Sequence, residues 1–187
     1  LLQSESPKVR ARSLRVIAAV GSPIAGRWLP AIERLVQDDD VDVRAAALHA
    51  LAQFSHEDAA VLLRRHLDDD EPRVAVTAAI ALANSGRAED IDAAEMAMLR
   101  LINDSRETGA AGRGEAAKAL GHIVNPRFRP LLVPLLNDSD ITVIRRAIKS
   151  ARDLGASDGL FVPALLSLLG HRSLKAQARE ALVGYGG

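Results

Sequence analysis

Asp40-Val41-Asp42-Val43-Arg44-Ala45-Ala46-Ala47-Leu48-His49-Ala50-Leu51-Ala52-Gln53-Phe54 is the stretch that decides the fold, because it recurs, with substitutions, six times down the chain. Val43, Ala47, Ala50, Leu51 and Phe54 fall at i, i+4, i+7, i+8 and i+11, which places them on one apolar stripe of an α-helix, with Asp42, Arg44 and His49 off it. A stripe of this kind has to bury itself against a neighbour. The unit is therefore a helix that packs on copies of itself.

Aligned on Arg44, the copies put Arg10, Arg44, Ala75, Arg113, Ile144 and Lys175 in one slot, spaced 34, 31, 38, 31 and 31 residues apart. Three and six residues after the slot stand small or apolar residues: Ser13/Val16, Ala47/Ala50, Ala78/Ala81, Ala116/Ala119, Ala147/Ser150 and Ala178/Ala181. Small side chains let helices approach closely. Position eleven is often glycine (Gly21, Gly86, Gly155, Gly186), which suits the left-handed conformation that ends a helix.

Each first helix, here called A, is followed by a second, B, readable in Pro30–Asp38, Pro130–Asp138 and Pro163–His171. Its proline belongs at a helix start, where a missing N–H costs nothing. Pro134 would fall inside the fourth B helix, and a kink is expected there. Ser22-Pro23 and Asn125-Pro126 read as N-cap and N1, and Ser55 with Asp58 has capping-box spacing. Ser6, Asp40, Glu71 and Asp140 occupy one joint slot, so the acidic runs at 38–40 and 68–71 read mainly as caps.

Composition agrees with a folded all-α chain: 187 residues, 48% hydrophobic, with three Phe, one Tyr and one Trp. Lys plus Arg equals Asp plus Glu at 24 each, so no global basic field draws in phosphates, and no nucleic-acid partner is expected. The absence of cysteine removes disulfides, thiolate catalysis and cysteine-ligated zinc, and is compatible with the cytoplasmic location expected for this segment. The best apolar run, Leu160 to Leu169, is about half of the roughly 18 residues a spanning helix needs and contains Pro163, so membrane insertion is not expected.

The D-x-x-V-R-x-x-A-x-x-A-L helix followed by P-x-L-x-x-L-L-x-D resembles a HEAT repeat, of the short type found in phycobilin-lyase-like proteins, and the resemblance spans essentially the whole chain. It implies an α-α superhelix, a HEAT-like solenoid of about five and a half helix-pair repeats over residues 1–187, whose B helices line a concave side that commonly holds a protein partner. It also implies that the slot arginines, Arg10, Arg44 and Arg113, bond acidic groups of an adjacent repeat. The third repeat departs from the pattern: it carries about four extra residues before or within its B helix and about three in the joint Ser105–Gly114. That glycine-rich joint reads as a flexible connector that bulges, with Arg106 and Arg113 open to trypsin.

Enzymatic readings of such repeats fare worse. Deoxyhypusine hydroxylase, a HEAT-like di-iron enzyme, needs several His-Glu pairs, and this chain offers only His56-Glu57; His49, His66, His122 and His171 lack mutual metal-binding spacing. HEAT-like DNA glycosylases would need a basic, aromatic-lined face. The glycines at 109–114 lack a preceding strand and the G-K-[ST] ending of a phosphate loop. No catalytic, metal or cofactor residue is assigned, and a non-enzymatic scaffold is expected. The resemblance leaves two alternatives, a regulatory or structural segment of a larger bacterial protein, since similar stretches are appended to some membrane transporters, and a bilin lyase-like repeat enzyme.

Two further expectations concern surfaces. Leu1–Arg10 aligns with Leu135–Ile144, and the chain stops after an A helix, so it reads as a segment of a longer solenoid with apolar, uncapped edges at both ends and a tendency to end-to-end contact. Arg34, Arg65 and Arg100 stand two residues before Val36, Leu67 and Ile102 on three successive B helices. They make a basic ladder suited to an acidic peptide, with Arg64 and His66 beside it and Arg27 near its entrance. Trp28, the single indole, is either packing or a partner contact. The competing reading pairs each ladder arginine with the aspartate four residues on: Asp38, Asp69 or Asp104. Met98 is expected in the core, more firmly than Met96.

Overall fold

The computed structural model describes residues 1–20, 25–54, 57–155 and 159–185, and among these all regular structure is helical: eleven α-helices and five 3-10 segments, with no strand. The helices fall into two compact units, Leu1–Ala97 and Met98–Gly187. The expected caps at Ser22-Pro23 and Ser55, the pair His56-Glu57 and the glycines Gly21 and Gly186 lie outside the described residues, or, for Glu57, outside the described side chains.

The first unit contains α1 (Pro7–Val20), α2 (Leu29–Leu35), α3 (Val41–Leu51), α4 (Glu57–Arg65), α5 (Pro72–Ala83) and the start of α6 (Ala88–Ile102). Helix α3 lies against α1 on one side and α5 on the other, and α2 and α4 each pack on the A helix that follows them. This explains why more of α3 is covered than its stripe requires: Ala45, Ala46 and Leu48 are buried as well as Val43, Ala47, Ala50 and Leu51. The second unit contains the end of α6, α7 (Ala110–Leu120), α8 (Leu132–Leu136), α9 (Ile141–Leu154), α10 (Val162–Ser167) and α11 (Lys175–Val183). It repeats the scheme, with α9 between α7 and α11, α8 on α9 and α10 on α11.

Different columns of the repeat face different neighbours. Ala47, Ala78, Ala116, Ala147 and Ala178, third after the slot, have no exposed surface at all. The sixth and tenth columns face the preceding A helix. A methyl group on Gly121 of α7 would stand 2.7 Å from the hydroxyl of Ser150, the sixth-column residue of α9, and Tyr185, the tenth-column residue of α11, donates its hydroxyl to Ala151 O on α9 at 2.7 Å. In the fourth column Leu14, Leu48, Ala79, Ala117 and Ile148 are buried as well.

The joints follow the chemistry of their residues. Asp40 and Asp140 cap α3 and α9, each accepting two backbone N–H bonds, from Asp42 and Val43 and from Thr142 and Val143. Asn125 accepts from Arg127 N as expected. Glu71 holds the N-cap position of α5 without a side-chain cap bond; Pro72 at N1 leaves one fewer donor to satisfy. Gly86 and Gly155 adopt φ of 80° and 62°, the left-handed region that their places after α5 and α9 require. Pro134 interrupts its B helix by changing the helix type: Pro126–Leu131 is 3-10, and α8 begins two residues before Pro134, whose absent N–H then falls in a first turn that needs no donor. Met98 is fully buried and Met96 is exposed.

One expectation is corrected here. The glycine-rich joint is no loose connector, since Glu107–Gly109 is a 3-10 turn and Ala110–Gly114 is the first part of α7. Its glycines serve close approach: a methyl on Gly109 would collide with Asp104, and one on Gly114 would stand 2.8 Å from the Arg146 guanidinium. The extra length of the third repeat is divided as the sequence suggests, between its B helix α6, the longest described helix at 15 residues, and the joint from Ile102 to Ala110, which is longer than the one from Leu136 to Ile141. Val16 and Val20 of α1 and Val183 of α11 are exposed, and α11 carries exposed Arg179 in the fourth column, where the other A helices have Leu, Ala or Ile.

Candidate functional site

The slot arginines bond acidic groups, but the partners stand at the ends of the B helices of their own repeats and not in an adjacent repeat as the resemblance implied. Arg10 meets Asp38 through two bonds, Nε to Oδ2 at 2.9 Å and Nη2 to Oδ1 at 2.7 Å, and Arg113 meets Asp138 at 2.7 and 3.2 Å. Arg44 reaches Asp69 by a single contact at 3.3 Å. Each arginine also donates to carbonyls at its own joint: Ser4 and Glu5 O for Arg10, Asp38 and Asp39 O for Arg44, Asp104 O for Arg113. Each acceptor aspartate in turn binds an N–H two residues on, namely Asp40 N, Glu71 N and Asp140 N. One carboxylate thus closes a turn and anchors the A helix of its own repeat.

The electrostatics follow from this geometry. Burial pushes the Asp38 carboxyl up, but the bonds from Arg10 and Asp40 N and the nearby Arg10 and Arg44 charges outweigh it and hold the group below the usual carboxylate range. Asp104 is held down to about 2, first by the Arg106 side chain and then by the Arg106 N–H. Asp140 is lowered by its two capping N–H bonds.

Against this background the proposed ladder changes composition. Arg34 and Arg65 are exposed and make no hydrogen bond or ion pair among the described residues. Their competing partners are occupied, Asp38 by Arg10 and Asp69 by Arg44, so the i+4 pairing expected on these two rungs does not form. The C-terminal ends of their two B helices meet where His66 Nε2 lies 3.0 Å from Val36 O and 3.2 Å from Gln37 Nε2. Arg100 is also exposed but lies in the second unit, where it has interactions of its own, and Asp104 pairs with Arg106.

Arg64 and His66 leave the candidate set. The His66 ring is buried between Val36 O and Leu62 O, because α4 gives way at residue 66 to a 3-10 turn, which advances each residue further around the axis and swings the imidazole inward. Its column could have revealed this, since Leu35, Leu101, Leu135 and Leu168 fill the same place. Arg64 bonds Asp90 Oδ1 at 2.7 Å and Glu89 at 2.8 Å. Asp90 has no exposed surface; it also accepts from Arg87 Nε at 2.6 Å and Ser85 Oγ at 3.2 Å, and so ties the first turn of α6 to α4. No sequence column pointed to Asp90, because it sits in the lengthened repeat. Arg27 and Trp28 are exposed, with the guanidinium 5.4 Å from the indole centroid, a cation-π pair on the surface.

No group of three His, Asp or Glu among the described residues is placed to hold a metal ion, and no described helix is long and apolar enough to cross a membrane. A groove between α7 and α9, lined by Lys118, His122, Arg146 and Lys149, encloses about 130 Å³. That is below the several hundred Å³ of a cofactor-sized site.

A family profile described as HEAT repeats matches residues 1–84, 29–111 and 97–183. No curated protein matches the chain. Among solved structures, an engineered protein is similar at 23% identity over 98% of this chain and 95% of its own, with a TM-score of 0.49. A designed armadillo repeat protein in complex with a (KR)4 peptide is similar at 20% identity over 99% and 96%, with a TM-score of 0.44. A computationally designed armadillo repeat protein for modular peptide recognition is similar at 22% over 96% and 93%, also at 0.44. With its repeats matched from residue 1 to residue 183, the chain belongs to the HEAT repeat family.

Proposed function

We propose that this chain is a non-enzymatic protein-binding module that takes an acidic, extended segment of a partner on its B-helix face, with Arg34 and Arg65 as the first two rungs. The observation that carries the reading is the exposure of these two guanidinium groups while the aspartates one turn on are committed to Arg10 and Arg44. Unpaired arginines on a surface of zero net formal charge are local sites of positive potential, and a planar guanidinium suits bidentate capture of carboxylates. Arg27 and Trp28 offer an aromatic and cationic contact at the start of the same run of B helices.

The test uses a fluorescein-labelled oligoglutamate of about ten residues and its oligolysine counterpart, with binding read by anisotropy at low and at physiological salt. The acidic probe is expected to bind and the basic one not. Arg34→Ala with Arg65→Ala should weaken it about two- to five-fold per arginine, with the helical circular dichroism unchanged. Unaltered affinity in the double variant would sink the assignment of these rungs.

A further inference from the structure

The zero formal charge of the chain hides a division. The second unit, Met98–Gly187, carries 13 Lys and Arg against 8 Asp and Glu, a net +5 that the first unit offsets. Three of those cations, Lys118, Arg146 and Lys149, line the groove between α7 and α9, together with Gly121, Ser150 and Asp153.

Pairing around this groove is incomplete. Arg146 donates Nη1 to Glu115 at 2.8 Å and leaves Nε and Nη2 without a hydrogen bond among the described residues. Lys149 donates to Asp153 at 2.7 Å. Lys118 is exposed and has neither an ion pair nor a hydrogen bond among the described residues. Ser150 adds a signal of another kind. It is 4% exposed, yet its hydroxyl makes no hydrogen bond among the described residues. Helical hydroxyls elsewhere turn back to a carbonyl three or four residues earlier, as Ser13 does to Val9 O, Thr77 to Arg73 O and Ser167 to Ala164 O. The Ser150 hydroxyl faces Gly121, where an added methyl would stand 2.7 Å from its oxygen. Buried hydroxyls are normally bonded, so one left open in a groove rimmed with cations needs a partner of its own.

We infer that this groove holds a phosphate group, with the Ser150 hydroxyl at its floor and Lys118, Lys149 and the open edge of Arg146 around it. Charge, donor geometry and size agree on that ligand. A tetrahedral dianion offers acceptor oxygens to several donors at once; an arginine edge takes two of them, and a lysine follows as a mobile point charge. About 130 Å³ has room for one such group and not for a nucleotide. The Lys149–Asp153 pair is an exposed i, i+4 contact of the weak kind, so Lys149 swings to a doubly charged ligand at little cost. Asp153 is the opposing charge at the site and limits its affinity. Free phosphate and the terminal monoester of a small metabolite share this chemistry, and the experiment separates them.

The test is titration of the whole chain with inorganic phosphate and with glycerol phosphate, slightly above neutral pH where both are largely dianions, at constant ionic strength and read by amide chemical shifts. Acetate is the control for an unspecific anion. Saturable shifts at Lys118, Gly121 and Ser150 are expected with phosphate and not with acetate. Tighter binding of the inorganic ion identifies free phosphate as the ligand, and equal or tighter binding of the ester identifies a monoester. Lys118→Ala and Lys149→Ala should each weaken binding about three- to ten-fold, and Asp153→Asn should tighten it about two- to five-fold by releasing Lys149. These three positions are exposed, so the fold should survive, and circular dichroism checks it. Lys175→Ala, an exposed cation on α11, should change nothing, nor should the double variant Arg34→Ala, Arg65→Ala, which separates this site from the B-helix surface. No shift with either phosphate, equal shifts with acetate, or an affinity indifferent to both Lys118→Ala and Asp153→Asn would each overturn the inference.

Discussion

At the scale of the residue, the molecule is held by carboxylates that answer to arginines, and the sequence revealed only those that repeat. The arginines of the pairs Arg10–Asp38, Arg44–Asp69 and Arg113–Asp138 were legible because the same slot recurs and resemblance implied acidic partners, but it put those partners in an adjacent repeat and they lie in the arginine's own. Asp90 was not, since it lies in extra residues with no counterpart to align, yet it is the most buried carboxylate described and gathers Arg64, Arg87 and Ser85. Asp90→Ala removes the acceptor shared by Arg64, Arg87 and Ser85, but both arginines are partly exposed and Arg64 keeps Glu89, so the loss should be about 1–3 kcal/mol in urea unfolding. Arg113→Ala strands buried Asp138 and is expected to cost about 3 kcal/mol, whereas Arg113→Met combined with Asp138→Ala should recover much of that, because an apolar pair carries no desolvation penalty. Failure of the double variant to outperform the single one would mean that the turn bond from Asp138 to Asp140 N matters more than the ion pair.

At the scale of the element, helix periodicity placed the A helices well and the ends of the B helices poorly. An A helix has apolar neighbours on several sides, so its stripe is wide and its register obvious, as the buried Ala45, Ala46 and Leu48 of α3 show. The B helices are shorter and change to 3-10 geometry, as at His66–Asp68 and Pro126–Leu131, where a 3.6-residue wheel no longer predicts which way a side chain faces. Glycine misled in another way, because composition alone does not separate a loose joint from a close crossing. Limited trypsin treatment distinguishes the two: cleavage should follow Arg106, which is 79% exposed ahead of α7, and should spare Arg113, buried within it. Gly121→Ala should cost about 1–3 kcal/mol, because its methyl would meet Ser150 at 2.7 Å, and Ser150→Gly in that background should restore part of the loss.

At the scale of the whole molecule, stability should depend on acid more than on base. The lowered carboxyls of Asp38, Asp104 and Asp140 stabilise the folded state fully above the ordinary carboxylate range near 4, and that contribution disappears as pH falls through their folded values, about 2 for Asp104. The urea midpoint should therefore stay level from about pH 7 to 5 and fall steadily below about 4; a midpoint that instead rose in acid would contradict these assignments. The arginine-aspartate bonds carry one more implication, for how such a chain is free to change over evolutionary time. Each acts as a ruler, fixing the stretch of chain between the start of an A helix and the turn beyond its B helix, from Arg44 to Asp69 or from Arg113 to Asp138. The third repeat has Ala75 where the ruler would begin, and it is the repeat whose slot lies 38 residues from the next. The ruler gives a little, since Arg10 and Asp38 stand 28 residues apart where the other two pairs stand 25 apart, but the largest gain in length falls in a repeat without it, which makes the chain between Asp90 and Arg113 a natural place for a lineage, or an engineer, to splice in something new.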